Sequence, residues 1–179
     1  EIVVRDARDG EIVEVHSAAG AWLARGYLNR LSQIQVRLLS WDEAIPLDRA
    51  FWRSRLQRAI AGRAALAADA STDAYRLVYA ENDGLPGLVV DRYGDWLVLQ
   101  ALTLGIERAK PLLVELLAEL CQPAGIIERS DVDVREKEGL RAATGVLYGA
   151  APAGPLEIHE HNHRFLVDLL DGQKTGFYL

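Results

Sequence analysis

The sequence of 179 residues has no methionine, one cysteine and only three lysines. The single cysteine, Cys121, excludes an internal disulfide framework and points to a reducing, cytoplasmic compartment. No window of about 18 residues is free of charge, which excludes a membrane-spanning helix. The opening Glu1-Ile-Val-Val-Arg5 lacks the basic-then-apolar pattern of a secretory signal. Without an initiator methionine, the chain is not expected to start at a natural beginning. Low-complexity disorder is excluded because half of the residues are hydrophobic and they run from end to end.

The charge is informative only when it is divided. A net charge of −6 speaks against nucleic-acid binding at face value. Residues 1–68, however, hold ten arginines against eight acids, a net of +2, whereas residues 69–179 carry −8. Seventeen of the twenty basic residues are arginine. The planar guanidinium fork grips phosphate and stacks on bases in ways that lysine cannot. The plainer explanation is a base composition that favours arginine codons.

Period-two alternation predicts strands at 11–15, 22–28 and 33–39, separated by turns at Ser17–Gly20 and Asn29–Ser32. In the third, Ile34, Val36 and Leu38 should face one way and Gln33, Gln35 and Arg37 the other. A helix is predicted over 47–68, with Asp48 as N-cap and Trp52, Leu56, Ala59 and Ile60 on one face. Residues 64–72 read as a linker. Strands follow at 76–79, 88–93 and 96–100, then a helix at 107–121 with Pro111 in or near its first turn. Ile126-Ile127 reads as a short strand, 128–139 as a charged loop and 145–155 as loop. A hairpin over 156–170 turns at His161-Asn162-His163.

Several groups invite chemistry. Asp83-Gly84 and Pro86-Gly87 suit tight turns, and a phosphate-cradling loop would need a helix directly after it, where a strand is predicted. His159, His161 and His163 bring two imidazoles to one strand face, but nothing nearby completes a tetrahedron, so no metal is assigned. Cys121 sits among leucines without an activating partner and reads as packing. Ser130 and Asp131 lack a nucleophile elbow. The segment 129–139 suits a solvated surface, a polar substrate or an interdomain contact. Phe177 and Tyr178 could stack on a planar ligand, and an ending on Phe-Tyr-Leu leads to the expectation that more chain follows.

Four stretches together resemble one family. They are Trp22-Leu-Ala-Arg-Gly26, the Asp83–Gly87 run within 81–94, Arg129-Ser-Asp131 with Lys137-Glu-Gly139, and Lys174-Thr-Gly-Phe-Tyr-Leu179. In this order they resemble the S-adenosylmethionine-dependent rRNA methyltransferases that form 5-methylcytosine in large-subunit rRNA. The resemblance implies an α+β chain. Residues 1–46 would be a PUA-like RNA-binding barrel without its opening segment. Residues 47–73 would be a connecting helix and linker, 74–170 a central α+β domain, and 171–179 the start of a class I methyltransferase domain.

It implies further that Lys174, Thr175, Gly176, Phe177 and Tyr178 border the S-adenosylmethionine pocket. The PUA resemblance and the local charge make Arg25, Arg37, Arg53, Arg55, Arg58 and Arg129 candidates for RNA contact. No catalytic residue is expected within the chain: the glycine-rich cofactor loop and the catalytic cysteine belong downstream, and Cys121 does not match. The chain alone should then be inactive, with rRNA as partner and a homodimer as the implied assembly. Glu160-His-Asn-His163 departs from the family's Glu-Asn-Gly or Glu-His-Gly, which leaves the histidines without a family role. The alternatives are a non-catalytic RNA- or protein-binding module, or a small metalloprotein.

Overall fold

Three short strands open the chain. The computed structural model describes residues 6–172, and in it β1 (Ile12–His16), β2 (Trp22–Leu28) and β3 (Val36–Ser40) pair antiparallel in that order. The expected barrel is not closed among the described residues. Three strands of five to seven residues cannot curl far enough for β1 to meet β3.

The facing of β3 also differs from the simple alternation. Leu39 is buried at 1% exposure, whereas Ile34 is 56% exposed and lies before the strand. A bulge opposite Arg25 and Gly26 shifts the register, and a one-residue shift exchanges the faces. Gly26 is required there: a Cβ would stand 2.1 Å from the Arg37 carbonyl oxygen.

Helix α1 (Arg49–Gly62) begins as its cap predicts, with the Asp48 side chain accepting the Phe51 N–H at 3.0 Å. It buries Phe51, Trp52, Leu56 and Ala59. A single helical turn, α2 (Ala64–Ala67), occupies the start of the expected linker.

A five-stranded sheet follows, in the order β4 (Ala74–Tyr79), β5 (Leu88–Tyr93), β6 (Trp96–Ala101), β7 (Gly125–Ser130), β8 (Ala143–Gly149). Only β6 and β7 are parallel, joined by helix α3 (Leu104–Cys121). Pro111 lies two turns inside α3 rather than in its first turn. Its position is exposed, so water can serve the Glu107 carbonyl that loses a donor. β8 occupies part of the stretch expected as loop. The charged segment after β7 forms a 3₁₀ turn, Asp133–Glu138, with Arg135 and Glu138 buried.

The sheet is covered on both faces. Leu97, Leu99 and Ile126 join α1 and α3 in the larger core, together with Tyr27 and Leu39 from the first sheet. Val98 and Ile127 point the other way, onto Ile158 and Leu169. Ile158 belongs to the hairpin of β9 (Leu156–Glu160) and β10 (His163–Val167), which turns on His161 and Asn162 at positive φ. The opening sheet and the central domain therefore share one core.

Candidate nucleic-acid interface

Arginine fixes the question, because the expected RNA contacts are all arginines. Four of the six are committed to partners within the protein. Arg25 donates to Glu14 at 2.7 Å and to the Ile45 carbonyl at 2.8 Å. Arg37 donates to Glu138 at 3.1 Å and to Glu81 at 3.5 Å. Arg53 joins Arg49 on Glu119 of α3. Arg129, only 7% exposed, clamps the Leu169 and Gly172 carbonyls and lies 3.2 Å from Asp131. These arginines join parts of the fold.

Arg55 and Arg58 differ. Among the described residues neither has a carboxylate within ion-pair distance; Arg55 Nη2 donates to the Leu39 carbonyl at 3.1 Å, and Arg58 Nη2 to the Asp83 carbonyl at 3.3 Å. The Arg55 guanidinium also lies over the Phe51 ring at 5.0 Å. Burial first, and then the charge of Arg58, lower the Arg55 pKa from its ordinary value. Arg55 still carries full charge at neutral pH. Between the loop 44–48 and α1 runs an open groove of about 470 Å³, lined by Ile45, Pro46, Phe51, Ser54, Arg55 and Arg58 among others.

The junction of the first sheet with the central domain is built on Glu138. Its carboxylate accepts Ser32 Oγ at 2.5 Å, Asn29 Nδ2 at 2.8 Å, Arg37 Nη2 at 3.1 Å and the Leu104 N–H at 3.3 Å. Burial opposes the charged form, but the hydrogen bonds from Ser32, Asn29, Arg37 and Leu104 outweigh it and hold the carboxyl below its usual value. Beside it, the Tyr27 hydroxyl donates to the Pro86 carbonyl at 2.7 Å and lies 2.8 Å from Thr103 Oγ1. Sequence reading missed this hub because Asn29, Ser32 and Arg37 lie more than a hundred residues from Glu138 in the chain. It missed Trp41 as well, which is 68% exposed at the end of β3. A tryptophan followed by Asp42-Glu43 in a turn was the available signal.

Other candidates resolve into structure. Ser130 is fully buried, and its Oγ accepts the Ala101 N–H at 2.9 Å. Burial raises the Cys121 thiol pKa, which keeps it protonated and unreactive. His159 Nδ1 lies 3.0 Å from Asp73, and among the described residues no three metal-ligating side chains converge. The Pro86-Gly87 turn leads into β5, not into a helix. Lys174, Thr175, Gly176, Phe177 and Tyr178 lie outside the described residues. No helix among those described is long and apolar enough to cross a membrane.

Known proteins resemble this chain throughout its length. Residues 1–41 match the PUA-like domain family. A ribosomal RNA large subunit methyltransferase I from Shewanella amazonensis is 48% identical over 170 residues, covering 95% of this chain and 43% of that protein. Its counterpart from Aliivibrio fischeri is 46% identical over the same coverage. Among solved structures, a putative SAM-dependent methyltransferase from Streptococcus mutans superposes with a TM-score of 0.78 at 22% identity, over 92% of this chain and 42% of that one. A putative methyltransferase complexed with SAH gives 0.79 at 22% identity, over 93% and 41%. At that identity the structural likeness speaks for the fold. The chain spans less than half the length of the relatives it matches. By sequence it resembles the ribosomal RNA large subunit methyltransferase I proteins along 95% of its length, and its first 41 residues match a PUA-like domain.

Proposed function

We propose that the chain is the RNA-binding and RNA-positioning part of an S-adenosylmethionine-dependent methyltransferase that forms 5-methylcytosine in large-subunit rRNA. The observation that carries this reading is 46–48% identity, along 95% of the chain, to proteins named for methylating that RNA. The proposed division is a PUA-like part over 1–46, a connecting helix and linker over 47–73, a central domain over 74–170 and the start of a methyltransferase domain from 171.

The chemistry explains why positioning falls to this part. In 5-methylcytosine formation a thiolate would add to C6, C5 would take the methyl group from the sulfonium, whose sulfur leaves as the thioether, and loss of the C5 proton would expel the thiolate. S-adenosylmethionine supplies that methyl group. Among the described residues Cys121 is a half-buried thiol whose pKa burial raises, and the groove at Asp69, Asp73 and Asp95 offers carboxylates without a glycine-rich loop between strand and helix. What this chain's residues contribute is a rigid frame. Glu138 and Tyr27 lock the first sheet to α3, so RNA held by the α1 side is held at a fixed distance from β7. Arg129 in turn ties the end of β7 to the segment entering Lys174–Tyr178.

The test is methyl transfer. The protein of this sequence, mixed with large-subunit rRNA and labelled S-adenosylmethionine, should give RNA binding without methylation. A protein extended to the length of its relatives should give 5-methylcytidine on nucleoside analysis. Methylation by the 179-residue chain itself, or methylation at a base other than cytosine, would overturn the corresponding half of the reading.

A further inference from the structure

Arg55 and Arg58 meet over Gly84. Arg55 Nη1 lies 2.8 Å, and Arg58 Nη2 3.2 Å, from the point where a Cβ on Gly84 would stand. Two guanidiniums thus reach one spot with no carboxylate between them among the described residues. Each is held by one backbone carbonyl, from Leu39 and from Asp83, so the convergence is set by the fold. The nearby carboxylates are turned to other donors: Asp83 to Arg63 at 2.6 and 2.8 Å, Asp48 to the Phe51 N–H, and Glu81 to Arg37. Like charges brought together in this way repel until an anion sits between them, and a phosphate oxygen pair matches the guanidinium fork.

A second feature identifies the anion. Trp41 stands two residues beyond Leu39, whose carbonyl holds Arg55, a span of about 7 Å of extended chain at most. Its indole is 68% exposed, far from the ordinary state of a tryptophan. Exposed aromatics next to a cationic groove are the elements by which proteins hold unstacked bases. The groove volume, about 470 Å³, lies in the range of a small-ligand site.

We infer that the groove between residues 44–48 and α1, with Trp41 in the chain leading into its loop wall, is a single-stranded RNA site, in which Arg55 and Arg58 bind backbone phosphate and Trp41 stacks a base. This rests on the RNA-binding reading above and narrows it to one surface and one strand state. Arg25, Arg37, Arg53 and Arg129 then serve the fold and not the RNA.

The experiment is fluorescence anisotropy with a short single-stranded RNA and, separately, an RNA duplex, over a salt series. The double variant Arg55→Ala/Arg58→Ala should bind the single strand at least tenfold more weakly. The slope of log affinity against log salt should shrink by about 1.4, as loss of two phosphate contacts requires. Trp41→Ala should weaken single-strand binding about tenfold with the slope unchanged. Arg164→Ala, on exposed β10, should change neither. Because removing two arginines can disturb α1, Gly84→Asp serves as a second variant. Aspartate tolerates positive φ, and once the Arg55 tip shifts off the new Cβ its carboxylate would pair with the two guanidiniums and compete with phosphate. It should reproduce the loss. Wild-type binding that none of these variants alters would overturn the groove and leave the RNA reading standing. Equal or tighter binding of duplex would overturn the single-strand assignment. A wild-type protein that binds neither RNA would overturn the RNA reading itself.

Discussion

Glu138 and the Arg55–Arg58 pair carry charge in opposite circumstances. The carboxylate is buried and accepts hydrogen bonds from Asn29, Ser32, Arg37 and the Leu104 amide. The two guanidiniums stand at the surface, each tied to a single carbonyl, with no acid within reach among the described residues. A charge saturated by the protein stabilises the fold and has nothing left for a ligand. A charge fixed in position but not neutralised is available to one. Counting arginines cannot separate these cases, since Arg37 belongs to the first and Arg55 to the second.

Substitutions can break this contrast in order of size. Glu138→Ala should be the most damaging, because it strands Arg37 and Asn29 in a buried junction. A loss of about 3–5 kcal/mol is expected for breaking a buried pair. For a chain of this size that lowers Tm by roughly 6–20 °C, measurable by thermal unfolding. Gly105→Ala comes next. Its Cβ would fall 2.2 Å from the Tyr27 ring, so the first sheet must shift off α3, at about 1–3 kcal/mol. Tyr27→Phe should cost about 1–2 kcal/mol by leaving the buried Pro86 carbonyl only the longer 3.4 Å hydrogen bond from Thr103, which chemical denaturation would resolve.

Acid should have a smaller and graded effect. The Glu138 carboxyl is held below its ordinary value of 4.5, and so is that of Glu107, where burial is outweighed by Lys110 and Arg135. The stability each contributes is complete above the unfolded value and is lost as pH falls through it toward the folded one. Tm should stay level from neutral pH to about 5, then decline below about 4.5. Glu138→Gln should reduce that decline. Smallest of all, Arg55→Ala and Arg58→Ala should leave stability within about 0.5 kcal/mol of wild type. A large loss there would place them with Glu138 as structural charges.

Much of the fold was legible in the sequence for local reasons. The Asp48 cap, the alternation of β1 and β2, and the His161-Asn162 turn each have their cause within a few residues. β8 was not legible, because its side chains are largely exposed and, apart from Leu147 on the core, it is ordered by backbone pairing with β7. Nor was the true face of β3, which depends on a bulge at Leu39, between the partners of Arg25 and Gly26. The charged stretch 128–139 looked like solvated loop because charge usually means surface. Here Glu128, Arg129, Arg135 and Glu138 are buried, each with a partner of opposite charge. The site was half legible: Arg55 and Arg58 stood among the candidates, but only tertiary contacts distinguish them from the four committed arginines.

Photocrosslinking of single-stranded RNA carrying 4-thiouridine, followed by mass spectrometry of the attached peptides, locates the RNA directly. The expected crosslinks fall on residues 41–58, with Trp41 the principal site. Crosslinks on the β1–β2 surface around Arg25, with none on 41–58, would contradict the assignment of RNA binding to the uncommitted arginines.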